Sequence, residues 1–433
     1  MKLRQRLRLL AGEGYLHAMS KYEQLRHGVS LNPLSPAVWQ DPYFFHSRLR
    51  QVAPVYFSQT WRAWWVTEFD LVQEILKSRC FGASVMPFPE RVEKLTRNMG
   101  DVGLERFHNP SMLDLDPPAH TRVRRLAQQG FVHKFIQSLE PRIRKLVDDS
   151  LAPYGNEAEV DLVDALAKPL PAIVIAEMLG LPITDHAQFM HWSEELMLGT
   201  STIDPEMIER SGKANTALYF YFKDFSDTKR TDPGDDLISR LIASEEEGDK
   251  LNGPELYNTC VLLLLAGHET TTRLISNGLY LLLQYPEQLA RLRDHPEEIP
   301  GAIEEMLRFE PPVQATRRFV LEDMDFHGHR FKRGQLVFVS IAGANRDPKA
   351  NDNPDEFDLR RNDPKQVAFG YGIHLCIGAS LARLEARVAF EEILKRYNSM
   401  ELVNPEPVWG TSTFFRGHEE LKVKVAAGAG VGK

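Results

Sequence analysis

One cysteine lies in a glycine-rich segment whose residue types could bind a metal-containing cofactor. Residues 369 to 378 read Phe-Gly-Tyr-Gly-Ile-His-Leu-Cys-Ile-Gly and come directly before the last amphipathic pattern of the chain. Gly370 and Gly372 allow a tight backbone turn, and Gly378 allows a flat ligand to approach closely. Cys376 would then lie at a helix N-terminus, where free N–H groups and the helix dipole favour the thiolate. A lone cysteine is more often a small buried hydrophobic residue, but this setting suits a thiolate that binds haem iron.

A run of small and polar residues lies in the middle of a long helical pattern. The pattern extends from about Asn252 to Tyr285, with a proline in its first turn, and Pro286 ends it. Its centre, residues 266–271, reads Ala-Gly-His-Glu-Thr-Thr. A buried carboxylate there is costly unless it is paired or functional. The alternative for the threonines is structural, because mid-helix hydroxyls commonly donate to the carbonyl four residues earlier.

Two further pairs of charged or titratable residues have helical spacing. His120 and Arg124 are four residues apart, and Glu305 and Arg308 are three apart, so each pair shares one helix face. The structural alternative for the first pair is a solvated, basic helix start. For the second it is an exposed ion pair worth a few tenths of a kcal/mol.

Taken together, these segments resemble the cytochrome P450 family. The family's haem-binding loop has the pattern Phe-x-x-Gly-x-His/Arg-x-Cys-x-Gly. Its five defined places are filled by Phe369, Gly372, His374, Cys376 and Gly378. The resemblance implies a mainly α, single-domain P450 fold with a small β region. It also implies haem b (iron protoporphyrin IX) as cofactor, with Phe369 and Gly370 beside it and Cys376 as the sulfur ligand of the iron.

The resemblance also assigns roles around the cofactor. In the family, the segment that corresponds to residues 266–271 faces the distal side of the haem. Ala266 and Gly267 would leave room for dioxygen there, and the acid-alcohol pair Glu269 and Thr270 would relay protons through water.

Haem propionates would be held by a basic clamp. The resemblance points to His120, Arg124, His374 and Arg318 as its members, with Arg317 as the neighbouring candidate for the last place. The Glu305–Arg308 pair would be a buried fold element that locks the coil carrying the cysteine loop. Its usual third partner is an arginine at the place where this sequence has Glu356, so the third partner is left open.

Composition excludes several other classes of protein. The net charge of −8 and a pI near 6.0 argue against a nucleic-acid binder. Three scattered cysteines do not form a disulfide framework, which favours a cytoplasmic protein. The basic N-terminus lacks the apolar core of a signal peptide. No apolar run approaches the roughly 18 residues that an integral membrane segment needs.

The elements that position these residues are predicted as one domain over residues 1–433, with 1–30 as an N-terminal extension. Residues 50–70 indicate a small hairpin, and 82–115 indicate a long functional loop. Residues 120–310 are mostly helical in pattern, short strands follow Pro312, and 345–368 indicate an ordered coil. A last helix is predicted from about Ile377 to Tyr397.

The function that follows is a monooxygenase that inserts one atom of O2 into a lipophilic small molecule by hydroxylation or epoxidation. Electrons would come from a separate ferredoxin and its reductase, or from a flavodoxin. A basic docking patch is predicted at Arg122, Arg125, Arg383 and Arg387. Two alternatives are a peroxide-using haem-thiolate enzyme, disfavoured by the Glu269–Thr270 pair, and a haem sensor or carrier without turnover.

By resemblance, the substrate pocket is lined by parts of 82–115 and 187–210, by Ala266 and Val313, and by the turn that carries Phe414 and Phe415. The apolar side chains among these residues favour a substrate of steroid, terpenoid, polyketide or fatty-acid size. Side chains of these types are more often plain core than pocket lining.

Overall fold

The computed structural model describes residues 3–99, 109–199, 204–244 and 249–427. It is mainly helical with small sheets, as predicted. The helices are α1 Leu3–His27, α2 Pro36–Gln40, α3 Pro42–Val52, α4 Phe69–Lys77, α5 Pro89–Met99, α6 Ala119–Gln128, α7 His133–Ser138, α8 Glu140–Leu151, α9 Pro169–Leu179, α10 His186–Leu198, α11 Pro205–Thr231, α12 Leu237–Ala243, α13 Gly253–Gln284, α14 Pro286–Asp294, α15 Ile299–Phe309, α16 Ile341–Asn345 and α17 Ala379–Arg396.

The strands form one five-stranded sheet and three smaller ones. They are β1 Val55–Ser58, β2 Ala63–Val66, β3 Phe81–Gly82, β4 Glu157–Asp161, β5 Ala315–Val320, β6 Met324–Phe326, β7 His329–Phe331, β8 Leu336–Ser340, β9 Ser399–Leu402, β10 Val408–Trp409, β11 His418–Glu420 and β12 Lys422–Ala426. The largest sheet has the order β1-β2-β8-β5-β3. The predicted hairpin is confirmed, since β1 and β2 pair antiparallel from Val55 opposite Val66.

The long helix α13 lies at the centre of the helical core and ends one residue before the predicted end. Its start is a capping box, in which the Asn252 side chain accepts from the backbone N–H of Glu255 and the Glu255 carboxylate accepts from the Asn252 N–H. Pro286 begins the next helix and cannot continue this one. At 32 residues, α13 spans about 48 Å. It packs against α9, α11 and α17, and so lies among the core helices.

The prediction of a long loop over 82–115 is wrong in part. Helix α5 occupies Pro89–Met99, and a single 3-10 turn covers Met112–Asp114. The apolar positions of α5 recur at helical spacing, but they are few and separated by charged residues, so the periodicity is weak. Residues 100–108 of the predicted loop lie outside the described residues.

The buried pair Glu305 and Arg308 has a third partner that the sequence did not indicate. Arg308 Nε donates to Glu305 Oε2 at 2.6 Å, and neither side chain is exposed by more than 1%. The third member is Arg361, whose Nε lies 3.3 Å from Glu305 Oε2. Glu356 contributes only its backbone carbonyl, which accepts from Arg308 at 2.9 Å. The cluster therefore fastens the coil after α16 to α15 and fixes the approach to the cysteine loop.

Helix α1 is attached to the main body through a buried carboxylate. Glu23 accepts from the hydroxyls of Ser30 and Thr60, both at 2.7 Å, and from the backbone N–H of Gln59 at 2.5 Å. These bonds hold the C-terminal half of α1 against the β1–β2 hairpin. Within the described parts of the chain, no helix combines the length and apolar character needed to cross a membrane.

Candidate active site

The cysteine loop has the tight geometry that its glycines predict. Gly370 and Gly372 have φ values of 74° and 71°, in the left-handed region that favours glycine. A Cβ at Gly372 would also lie 2.5 Å from the carbonyl oxygen of Leu76, at the end of α4. The loop is closed by the backbone N–H of Cys376, which donates to Phe369 O at 2.8 Å.

Cys376 lies just before α17, whose N-cap is Gly378. Burial raises the pKa of the Cys376 thiol, while the Gly378 N–H and the guanidinium groups of Arg124 and Arg383 act in the opposite direction. A Cβ placed on Gly378 would meet no atom within 4 Å, so there is open space beside the sulfur. The surroundings thus contain donors and positive charge for a thiolate, and space for a ligand.

Next to this loop, four basic side chains converge from separate elements. His120 and Arg124 come from α6, Arg318 from β5 and His374 from the loop itself. The rings of His120 and His374 lie with centroids 4.1 Å apart. Among the described residues, neither ring nitrogen of His120 has a hydrogen-bond partner, nor does Nε2 of His374. Buried donors without acceptors are rare in proteins, and they indicate a ligand that supplies the acceptors.

The electrostatics of this cluster favour an anion. Burial, together with Arg318, His120 and Arg124, lowers the pKa of His374 to about 3. Burial lowers the pKa of Arg318 to about 10, against the opposing effect of Asp116. Groups that disfavour one another's positive charge are stabilised by carboxylates placed between them. The two propionates of a haem whose iron is ligated by Cys376 therefore fit the residues present.

Of the two arginines considered for this clamp, Arg318 is the one in the cluster. It is 6% exposed and lies within the charge environment of Asp116 and His374. Arg317 points to the surface, where it pairs with Asp114 at 3.1 Å. Alternation of side chains along β5 separates the two neighbours.

The middle of α13 presents an open face. Ala266 is exposed although the helix lies inside the molecule, and Glu269, Thr270 and Arg273 are partly exposed on the same face. The Thr270 hydroxyl donates to the carbonyl oxygen of Ala266 at 2.8 Å, which is the structural alternative considered for this residue. Glu269 Oε2 accepts from Arg273 Nη2 at 3.2 Å.

Comparison with known proteins agrees with this arrangement. The family model described as Cytochrome P450 matches residues 91–425. The chain belongs to the cytochrome P450 family.

Individual relatives cover nearly the whole chain. Cytochrome P450 107B1 of Saccharopolyspora erythraea is 38% identical over 401 residues, which cover 90% of this chain and 96% of that protein. The structure of CYP109Q5 from Chondromyces apiculatus has a TM-score of 0.82 at 32% identity and covers 92% of this chain and 98% of its own. CYP109E1 from Bacillus megaterium, in complex with testosterone, has a TM-score of 0.78 at 34% identity, with 89% and 99% covered. The protein is accordingly a cytochrome P450 monooxygenase, an oxidoreductase whose cofactor is haem b.

In this P450, Gly267 does not face the space beside Ala266. A Cβ on Gly267 would lie 3.1 Å from Cγ1 of Ile175 on α9. The glycine therefore permits close packing of α13 against α9, and its role in leaving room for dioxygen stays a prediction. Ala266 and Gly267 differ in direction because successive residues of a helix are rotated by about 100°.

Of the predicted pocket residues, Phe415 and Val313 lie together and Phe414 is turned away from them. Val313 and Phe415 form an isolated antiparallel bridge. The ring of Phe414 packs instead against Trp61 and Phe338, with centroids 5.7 and 5.4 Å away. Phe414 is thus explained by the aromatic cluster of the largest sheet.

In the predicted basic docking patch, most of the arginine charges are paired with carboxylates. Arg122 pairs with Asp249 and Glu255, Arg383 with Glu304, and Arg387 with Glu140 and Glu391. Three of the four predicted arginines thus have carboxylate partners among the described residues. The sequence could not show this, because the partner carboxylates of Arg383 and Arg387 include residues on other helices, and the partners of Arg122 lie 127 and 133 residues away.

Two site residues escaped the sequence argument. Arg273 is one helical turn after Glu269, and its i,i+4 spacing was a usable signal. Asp116 accepts backbone N–H bonds from Ala83 and Ser84 at 2.7 and 3.1 Å, and so ties the clamp region to the loop after β3. In the sequence, Asp116 stands four residues before His120, and this position alone assigns it no role.

Proposed function

We propose that this P450 inserts one atom of O2 into a lipophilic small molecule, with electrons supplied by a separate ferredoxin and its reductase. The observation that carries the proposal is the cluster at His120 and His374 of buried ring nitrogens that have no hydrogen-bond partner among the described residues, beside a cysteine at a helix start. When bound, haem supplies the iron at which dioxygen is reduced.

Cys376, the clamp and the loop glycines hold the cofactor. Burial raises the pKa of the Cys376 thiol and the Gly378 N–H opposes this, so coordination to the iron would be what keeps the sulfur anionic. His120, Arg124, Arg318 and His374 bind the propionates by charge-assisted hydrogen bonds, which are the strong class.

Glu269 and Thr270 move protons on the open face of α13. The Glu269 carboxylate is 13% exposed and so reaches water while it remains within the molecule. A proton taken from solvent at its oxygen passes on through water and the Thr270 hydroxyl, which donates to Ala266 O when at rest. The two residues thereby direct reduced oxygen toward product rather than hydrogen peroxide.

The substrate is an apolar molecule of steroid, terpenoid, polyketide or fatty-acid size. Support comes from the apolar side chains of Val313 and Phe415, which lie in one bridge, and from Ala266 on the open face of α13. The testosterone complex of CYP109E1 supports the same size class.

The proposal is tested with purified holoprotein. Reduced, CO-bound protein should absorb near 450 nm, and C376S should lose this band. With NAD(P)H, a ferredoxin and its reductase, a library of apolar compounds should give oxygenated products in at least one case. Turnover with hydrogen peroxide alone would favour the peroxide-using alternative. A 450 nm band without product under any reductant would favour a sensor or carrier.

A further inference from the structure

The side chain of Arg273 lies between two features. One is Glu269, the acid proposed to relay protons, and the other is the neck of the β10–β11 hairpin, where Gly410 and Gly417 pair. Arg273 Nη2 lies 3.2 Å from Glu269 Oε2, and both side chains are 13% exposed. Most i,i+4 ion pairs lie in solvent, where they stabilise a helix by about 0.5 kcal/mol or less. This pair lies on the open face of α13 that also carries Ala266 and Thr270.

The other side of Arg273 packs against the hairpin that β10 and β11 form. Gly410 donates its N–H to Gly417 O at 3.0 Å, and this bond closes the neck of the hairpin. A Cβ at Gly417 would lie 2.6 Å from Cγ of Arg273, and one at Gly410 would lie 3.5 Å from its Nη1. The two glycines therefore form a slot for the arginine, and any side chain at Gly417 would displace it.

This two-sided contact restricts the direction of the guanidinium group. A free arginine has many rotamers, and ordering it costs up to about 2 kcal/mol. Here the neck of the hairpin leaves little room for the aliphatic part of the Arg273 side chain. The guanidinium is therefore directed toward Glu269. Because arginine does not lose its proton in proteins, it can hold the carboxylate without itself taking part in proton transfer.

We propose that Arg273 is a positioning residue for proton delivery, which holds the Glu269 carboxylate at one place on the open face of α13. The inference rests on the proposed role of Glu269 in the monooxygenase reaction. The proton comes from bulk water to a Glu269 carboxylate oxygen and leaves from the same carboxylate toward the Thr270 hydroxyl. Arg273 keeps all its protons throughout, and the Arg273–Glu269 contact determines how often the carboxylate is correctly placed.

The test measures how electrons divide between product and hydrogen peroxide. R273Q should lower the ratio of product to NAD(P)H consumed by about tenfold, less than the roughly 100-fold or more expected for losing the proton carrier itself, because Glu269 is still present. R273K keeps the charge and should recover a large part of the ratio. The solvent isotope effect on product formation should rise in R273Q. Substrate affinity from the spectral shift and the CO-bound band near 450 nm should not change.

Arg230 provides a matched control. It lies at the exposed end of α11 and pairs with Asp227 at 3.8 Å, also within one helical turn. R230Q should leave the product ratio unchanged. An unchanged ratio in R273Q, or an equal loss in R230Q and R273Q, overturns the inference, as does a lysine variant no better than glutamine.

E269Q separates the inference from the function on which it rests. If E269Q keeps the normal product ratio, the proposed relay fails and the role of Arg273 fails with it. If E269Q loses the ratio and R273Q keeps it, the relay stands and only the positioning role is wrong. If both variants lose it and E269Q/R273Q is no worse than E269Q, the two residues act as one unit.

Discussion

Arg361 Nε lies 3.3 Å from Oε2 of Glu305, and the same guanidinium donates to the backbone carbonyls of Asp352 and Asn353 at 2.7 and 3.1 Å. One arginine therefore binds the buried carboxylate of α15 and two consecutive carbonyls of the coil at once. Glu305 in turn accepts from the backbone N–H of Asp358 at 3.1 Å. The coil that precedes the cysteine loop is thus fastened at several points to a single carboxylate.

The first prediction concerns this carboxylate. E305Q leaves the buried Arg308 guanidinium without its anion, and it should lower the free energy of unfolding by about 3–5 kcal/mol. R361Q should cost less, because Arg308 remains paired and Arg361 is partly exposed. Urea unfolding of the holoprotein, followed through the haem absorbance, measures both. R360Q is the control, since the neighbouring Arg360 is exposed and its side chain pairs with Asp358 alone among the described residues. A loss in R360Q equal to that in R361Q would contradict the assignment.

The sequence predicted what depends on local residues, and it did so well for α13 and the cysteine loop. The capping residues and Pro286 determine where α13 begins and ends, and the positive φ of Gly370 and Gly372 follows from their type. Arg361 could not be found in the same way. Its role depends on the path of the coil, which brings a residue 56 positions after Glu305 back to it.

Two other properties could not be predicted from the sequence: the direction in which a residue faces and the partner with which a charged side chain pairs. Gly267 and Ala266 are neighbours of similar size, and only the packing of α9 shows that one meets Ile175 while the other faces open space. Likewise Arg387 looked like a surface cation, yet its partner Glu140 is 247 residues away. Such contacts are decided by tertiary packing, which a local pattern does not contain.

The second prediction concerns the clamp. R318M removes a buried donor from the cluster with His120 and His374, and haem should dissociate about tenfold faster or more, since a charge-assisted hydrogen bond is worth roughly 1.5–3 kcal/mol. Transfer of haem to apomyoglobin measures the rate. R317M is the matched control on the same strand, because Arg317 pairs with Asp114 at the surface. A faster loss of haem in R317M than in R318M would reverse the assignment of the two arginines.

The third prediction distinguishes the two small residues of α13. A266V adds volume to the open face and should weaken substrate binding, by up to about tenfold for an apolar ligand that loses one contact. G267A adds a methyl group toward Ile175, 3.1 Å from its Cγ1, and should leave substrate titrations and the 450 nm band unchanged. Its effect should be on stability, as a change in the urea midpoint. A loss of substrate affinity in G267A with none in A266V would show that Gly267 borders the pocket.

The fourth prediction concerns acid stability and His418. This ring is stacked between Trp409 and Tyr280, at centroid distances of 4.0 and 4.4 Å. Neither of its nitrogens has a hydrogen-bond partner among the described residues. Burial and the nearby Arg416 lower its pKa from 6.5 to about 3. Below pH 6.5 the unfolded chain therefore binds a proton at this residue that the folded protein does not, so the stability contributed by neutral His418 is lost as the pH falls.

Each pH unit between 6.5 and about 3 costs up to about 1.4 kcal/mol at this residue. H418F keeps an aromatic ring in the stack, loses no hydrogen bond and cannot take up a proton. It should match the native protein at pH 7 and exceed it by about 2 kcal/mol at pH 5, as measured by urea unfolding at each pH. If H418F showed no advantage at pH 5, the ring would have to be protonated in the folded protein, and the stack on Trp409 would have to open to water as the pH falls.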